Sequence, residues 1–183
     1  MSAETNIYQK LIRQGAGVVT GFSPQTIKIV MDKICDYYGM SSETNPLSVI
    51  DYTDRNDVKQ SILIITKSGV NQLIDNYKIS VWVYKTEFDE KNNAYVSYAR
   101  GYRYNEKSPK TIAGNIGVEV IDRSGVDYGF DTQSAMLRSA TKAIKRTALQ
   151  LAGLGFMDEE IAQDMLDSGE FVKIQRELEN NKK

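Results

Sequence analysis

Apolar positions along the chain fall into two regimes, helical spacing at both ends and strand-like runs in the middle. Asn6 to Gln14 reads as a short helix that stops at Gly15-Ala16-Gly17. Ser23 is a candidate N-cap with Pro24 at the first helical position; Ile27, Val30, Met31, Ile34 and Tyr38 then recur at helical spacing until Gly39. Ser41 to Pro46 is a loop, Ser61 to Thr66 a β-branched strand, and Val70 to Ile74 a turn of helix. Lys78 to Tyr84 and Tyr95 to Tyr104 form a long hairpin around the polar turn Asp89 to Asn93. A third strand, Ile116 to Ile121, is expected to turn at Asp122-Arg123-Ser124-Gly125 into a short strand, Val126 to Phe130.

Asp131 or Thr132 then caps a long helix that reaches Ala152 and ends at Gly153 and Gly155. Two more helices are expected, Asp158 to Asp167 and Glu170 to Glu179. Strands grouped between helices indicate an α+β fold, an antiparallel meander or hairpin sheet packed on a long helix, with N-terminal helices and a C-terminal helical tail. The expected division is a single α+β core over 1–156 and an acidic helical tail over 157–183.

Composition narrows the function classes. Hydrophobic residues at 41% supply a core, so disorder throughout is excluded. A net charge of −1 means that any nucleic-acid site must come from local charge segregation. A single cysteine, Cys35, allows no disulfide within the chain and suits a reducing, cytoplasmic setting; its place in an apolar helical pattern favours a buried structural role. Met1 to Gln9 has no signal-peptide layout, and no apolar run has the roughly 20 residues of a membrane helix, so no membrane partner is expected. The chain has no histidine, which removes His-based triads and Cys/His zinc sites. No phosphate-loop pattern occurs, so ATP hydrolysis and a nucleotide cofactor are not expected. Asp51, Asp54, Glu87, Asp89, Glu119 and Asp122 could bind Mg²⁺ in principle, but Glu119-Val120-Ile121-Asp122 lacks the nearby lysine of a metal nuclease.

Two segments carry candidate binding chemistry. In the long helix Leu137, Ala140, Ile144, Ala148 and Leu151 form one stripe, expected to face the core. Arg138, Lys142, Lys145 and Arg146 fall roughly opposite, and no acidic residue lies between Thr132 and Met157. Solvated faces usually mix signs, so four like charges point to an anionic partner. The acidic stretch Asp158, Glu159, Glu160, Asp164, Asp167 and Glu170 is one candidate, which would make the chain a protein-interaction or assembly module. The hairpin interleaves Trp82, Tyr84, Tyr95, Tyr98, Tyr102 and Tyr104 with Lys78, Lys85, Lys91, Arg100 and Arg103. Aromatic faces stack unpaired bases while cations track phosphates, although Tyr and Trp also favour strands for ordinary packing. Trp82 and Tyr84 are expected half-buried against the long helix, whereas Arg100, Tyr102, Arg103, Lys107 and Lys110 are the surface candidates.

Ser134 to Phe156 resembles the signature helix of the single-strand annealing protein superfamily, the phage recombinases and the related eukaryotic annealing protein. Thr141-Lys142-Ala143-Ile144-Lys145-Arg146 is similar to the family's helix core and Gly153-Leu154-Gly155-Phe156 to its closing turn. Val118 to Gly129 is similar to the final strand hairpin before that helix. The resemblance covers about Tyr77 to Phe156 in element order and is specific over the last forty or so residues. It implies homo-oligomeric rings or filaments, single-stranded DNA in a basic groove and annealing without ATP, rather than an enzymatic reaction. It places phosphate contacts at Lys142, Lys145 and Arg146, with Arg138, Arg100, Arg103, Tyr102 and Lys107 in supporting roles. Further candidate partners are a host or phage single-strand-binding protein or an exonuclease. The acidic tail departs from the basic or disordered tail that the resemblance implies.

Overall fold

Ser23 and Gly39 bracket the first helix, α1 (Pro24–Tyr38), by purely local bonds. The Ser23 hydroxyl accepts from the Thr26 amide at 3.1 Å. Gly39 turns left-handed at φ 64°, and the Met40 amide returns to the Cys35 carbonyl at 2.8 Å, closing the orphan carbonyls of the last turn. The computed structural model describes residues 17–104, 118–128 and 132–169, apart from the side chains of 104, 118–128, 132 and 156. The helices expected over Asn6 to Gln14 and Glu170 to Glu179, together with Lys107 and Lys110, lie outside the described residues.

The fold is α+β with two antiparallel sheets. The first pairs β1 (Leu47–Thr53) with β2 (Lys59–Ile65), from Leu47 opposite Ile65 to Thr53 opposite Lys59. Asp54 holds their turn, accepting from the amides of Asn56 at 2.8 Å and Val58 at 3.0 Å. Helix α2 (Lys67–Asn76) extends well beyond the single turn expected over Val70 to Ile74. The second sheet has the order β3 (Ile79–Asp89), β4 (Ala94–Tyr104), β5 (Val118–Tyr128). Asp89 shapes the β3–β4 turn by accepting from the Lys91 amide at 3.0 Å and the Asn92 side chain at 2.6 Å.

The turn expected at Asp122 to Gly125 is not made; β5 runs straight through it. Each residue of that stretch is paired in register with β4: Asp122 with Arg100, Arg123 with Ala99, Ser124 with Tyr98 and Gly125 with Ser97. Continuous pairing over eleven residues outweighs a local turn preference.

Helix α3 (Thr132–Ala152) packs on this second sheet with a face that shares Ala148 and Leu151 with the expected stripe but is otherwise rotated from it. Ala135, Ser139, Ala143, Thr147 and Leu151 form the buried stripe, while Ala140 and Ile144 are half-buried and Leu137 is 65% exposed. Close approach selects small residues. A Cβ on Gly101 of β4 would stand 2.7 Å from Thr147 Cγ2 and 2.8 Å from Leu151 Cδ1. Ser139 and Thr147 bury without penalty because their hydroxyls donate to the helix carbonyls of Met136 (2.9 Å) and Ala143 (2.8 Å).

The described residues divide into two compact units, 17–69 with 156–169, and Val70–Gly155. Residues 157–169, the described part of the expected acidic tail, belong to the first of these units. Asp158 caps α4 (Glu159–Asp167) by accepting from Ile161 N at 3.3 Å. Ala162 and Leu166 of α4 are buried together with Val18, Ile62 and Ile64. Tyr52 donates to Asp167 at 2.8 Å, and Arg55 pairs with the same carboxylate at 3.2 Å. Among the described residues no helix is long and apolar enough to cross a membrane.

Candidate nucleic-acid interface

Strand alternation gives the β3–β4–β5 sheet two chemically different faces. On β4, Ser97, Ala99, Gly101 and Arg103 take the α3 side. Ser97 and Ser139 share a hydrogen bond at 2.7 Å, and Thr86 of β3 joins Ser97 at 3.0 Å. Tyr98, Arg100 and Tyr102 have the opposite parity and take the other face. There they meet Trp82, Tyr84, Lys85 and Glu87 of β3. The Trp82 and Tyr102 ring centroids are 5.0 Å apart at 33°, and those of Tyr84 and Tyr98 are 6.3 Å apart. The pairing register shifts between Val83 and Lys85, leaving Tyr84 as the extra residue, so Tyr84 and Lys85 both reach Tyr98.

Cations lie on these rings. The Arg100 guanidinium sits 5.2 Å from the Tyr84 centroid, and Lys85 Nζ 5.4 Å from that of Tyr98. Glu87 ties the cluster together, bridging Lys85 at 2.5 Å and accepting from the Tyr98 hydroxyl at 2.8 Å. The Lys85 bond, then the Tyr98 bond, hold the Glu87 carboxyl below the usual carboxylate range. The same contacts raise Lys85 and Tyr98 above their ordinary values. Trp82 and Tyr84 are 40% and 49% exposed, not half-buried against the long helix as expected. Register explains the difference: Val81 and Val83, opposite Gly101 and Ala99, occupy the helix side.

The helix cations form a second locus on the other side of the sheet. Arg138, Lys142 and Arg146 each precede a member of the buried stripe (Ser139, Ala143, Thr147), so they line up as a ridge along its flank. Lys145 lies opposite the stripe at the Ala143–Thr147 level. Arg138 is exposed; Lys142, Lys145 and Arg146 are half-buried. The structure thus brings Arg138, Lys142, Lys145 and Arg146 together, and Arg100 with Tyr102, but keeps the two sets apart. Arg103 joins neither. Its guanidinium donates to the Leu151 carbonyl at 3.0 Å and rests 4.2 Å from the Tyr77 centroid, so it secures the last turn of α3.

Trp82, Tyr84, Tyr98 and Lys85 belong to the aromatic–cation hairpin read from the sequence, but that reading did not place them among its surface candidates. Gly101 was the available signal, because a glycine on a strand marks a close approach and fixes which parity faces the helix. Elsewhere, Asp51 accepts from Ser61 at 2.9 Å, and burial pushes the Cys35 thiol up, with Asp32 and Asp36 adding to the effect. Among the described residues no three His, Cys, Asp or Glu side chains gather as a metal site. Comparison of the chain with known protein families finds no matching family, and no curated protein matches it.

Proposed function

We propose that this protein binds single-stranded DNA in the cytoplasm and anneals complementary strands without ATP, as a phage-type recombination protein acting as a homo-oligomer. The observation that carries the reading is the run of four cations on one helix, with no acidic residue from Thr132 to Met157, three of them (Arg138, Lys142 and Arg146) in a ridge beside the stripe that packs on the sheet and Lys145 opposite that stripe. A rigid row of positive charge suits a phosphate backbone. Sequence discrimination is left to base pairing between the two strands, so the ridge needs no contacts to base edges. The resemblance of Ser134 to Phe156 to the single-strand annealing superfamily supports the same reading.

The test is annealing of two complementary oligonucleotides, followed by fluorescence, without ATP or metal. Acceleration by the protein is expected, and its loss when Lys142, Lys145 and Arg146 are all changed to Glu. Affinity should fall with salt, with a slope of about −0.7 per neutralised phosphate. No single-strand binding at low salt would remove the reading.

A further inference from the structure

We infer that the open face of the β3–β4 hairpin is a stacking platform for the unpaired bases of the bound strand, separate from the phosphate ridge on α3. The inference rests on the single-strand reading above and adds a second binding surface to it. Trp82 and Tyr84 expose large aromatic area on this face, and both sit beside a second ring, Tyr102 and Tyr98 respectively. Ring–ring contact and the lodged cations hold the rings in place, which lowers the entropy that a base must overcome to stack.

The mixture of exposed rings and charges selects the occupant. The charges of this face are mixed: Arg100 and Lys85 share it with Glu87, which bonds Lys85, and register sets position 122 of β5, an aspartate, opposite Arg100. Exposed rings set among charges of both signs suit a ligand in which flat apolar rings alternate with charged and polar groups, as along a single strand. The core of a protein–protein interface is depleted in charge, so a second copy of the chain fits this face less well. A π-face accepts any base, and annealing requires that tolerance.

Trp82 is the sole tryptophan of the chain, so its emission reports on this face alone. The experiment titrates the full-length protein with an oligo-dT strand and with an abasic strand of equal length. It follows Trp82 emission and, on labelled DNA, anisotropy. Oligo-dT should quench Trp82 and bind about tenfold or more tighter than the abasic strand, as expected for stacking. Tyr102→Leu should lose that preference while keeping the affinity for the abasic strand. Tyr84→Leu, at a more exposed position, should reduce it without a folding cost. Equal affinity for both strands overturns the platform and leaves the annealing reading standing. If neither strand binds, both fail. Quenching that depends on protein concentration without DNA, and disappears in Tyr102→Leu, would make this face a contact between copies and overturn the inference.

Discussion

Gly101 is a residue at which the sheet and the long helix come too close for a side chain. Any Cβ there stands within 2.8 Å of both Thr147 and Leu151 and 3.2 Å from Val81 Cγ2, so something buried must shift. Gly101→Ala should therefore cost about 1–3 kcal/mol, seen as a lower urea midpoint with an unchanged slope. Arg103 allows a sharper test, because its chemistry resembles that of Arg100 but its place does not. Arg103 satisfies the Leu151 carbonyl and covers Tyr77, whereas Arg100 lies on the Tyr84 ring at the open face. Arg103→Met should lower stability by about 1–2 kcal/mol and leave single-strand affinity of the folded protein unchanged. Arg100→Met should do the reverse. If the two variants weaken DNA binding equally, the division of the sheet into a structural and a binding face is wrong.

At the scale of elements, what was legible in the sequence depended on how local its cause is. The N-caps Ser23 and Asp158 and the stop at Gly39 follow from bonds within a few residues, and those helix ends stand where the sequence puts them. The β3–β4 hairpin was legible for the same reason, since Asp89 builds its turn from neighbouring amides. β1 was not, because its pairing with β2 across the Asp54 turn defines it more than its own composition does. The face of α3 was legible at Ala148 and Leu151 but misjudged nearer its start, because periodicity rewards Leu137 over Ser139 while a close sheet rewards the smaller side chain. The hairpin also predicts a pH response. Glu87 titrates below its ordinary range because Lys85 and Tyr98 bond its charged form. Its contribution to stability is therefore complete above the usual carboxylate range and fades as pH falls through the depressed value. The urea midpoint should drop on acidification, and Glu87→Gln should flatten that limb. An identical acid limb in the variant would show that the cluster does not couple to folding.

On the scale of the whole molecule, the first unit is assembled from the two ends of the described chain, while the second is continuous. A discontinuous unit depends on its returning segment. Leu166 and Ala162 are buried with Val18, Ile62 and Ile64, and Asp167 fastens the same helix to Tyr52 and Arg55. Deleting everything after 156 would thus remove part of a core, and loss of oligomers or DNA binding in such a deletion would not identify an interaction tail. A point substitution is the better probe. Leu166→Ala removes a nearly fully buried side chain and should cost about 2–5 kcal/mol. The second unit has its own packing of α3 on β3, β4 and β5, and it holds Trp82. In Leu166→Ala the loss of far-ultraviolet dichroism should begin at lower urea than the change in Trp82 emission, whose midpoint should stay near that of the parent. Gly101→Ala should move the emission midpoint instead. A common shift of both signals in either variant would mean that the two units unfold as one, and the stability of the proposed DNA-binding surfaces would then depend on the fit of α4 against β2 as much as on the hairpin itself.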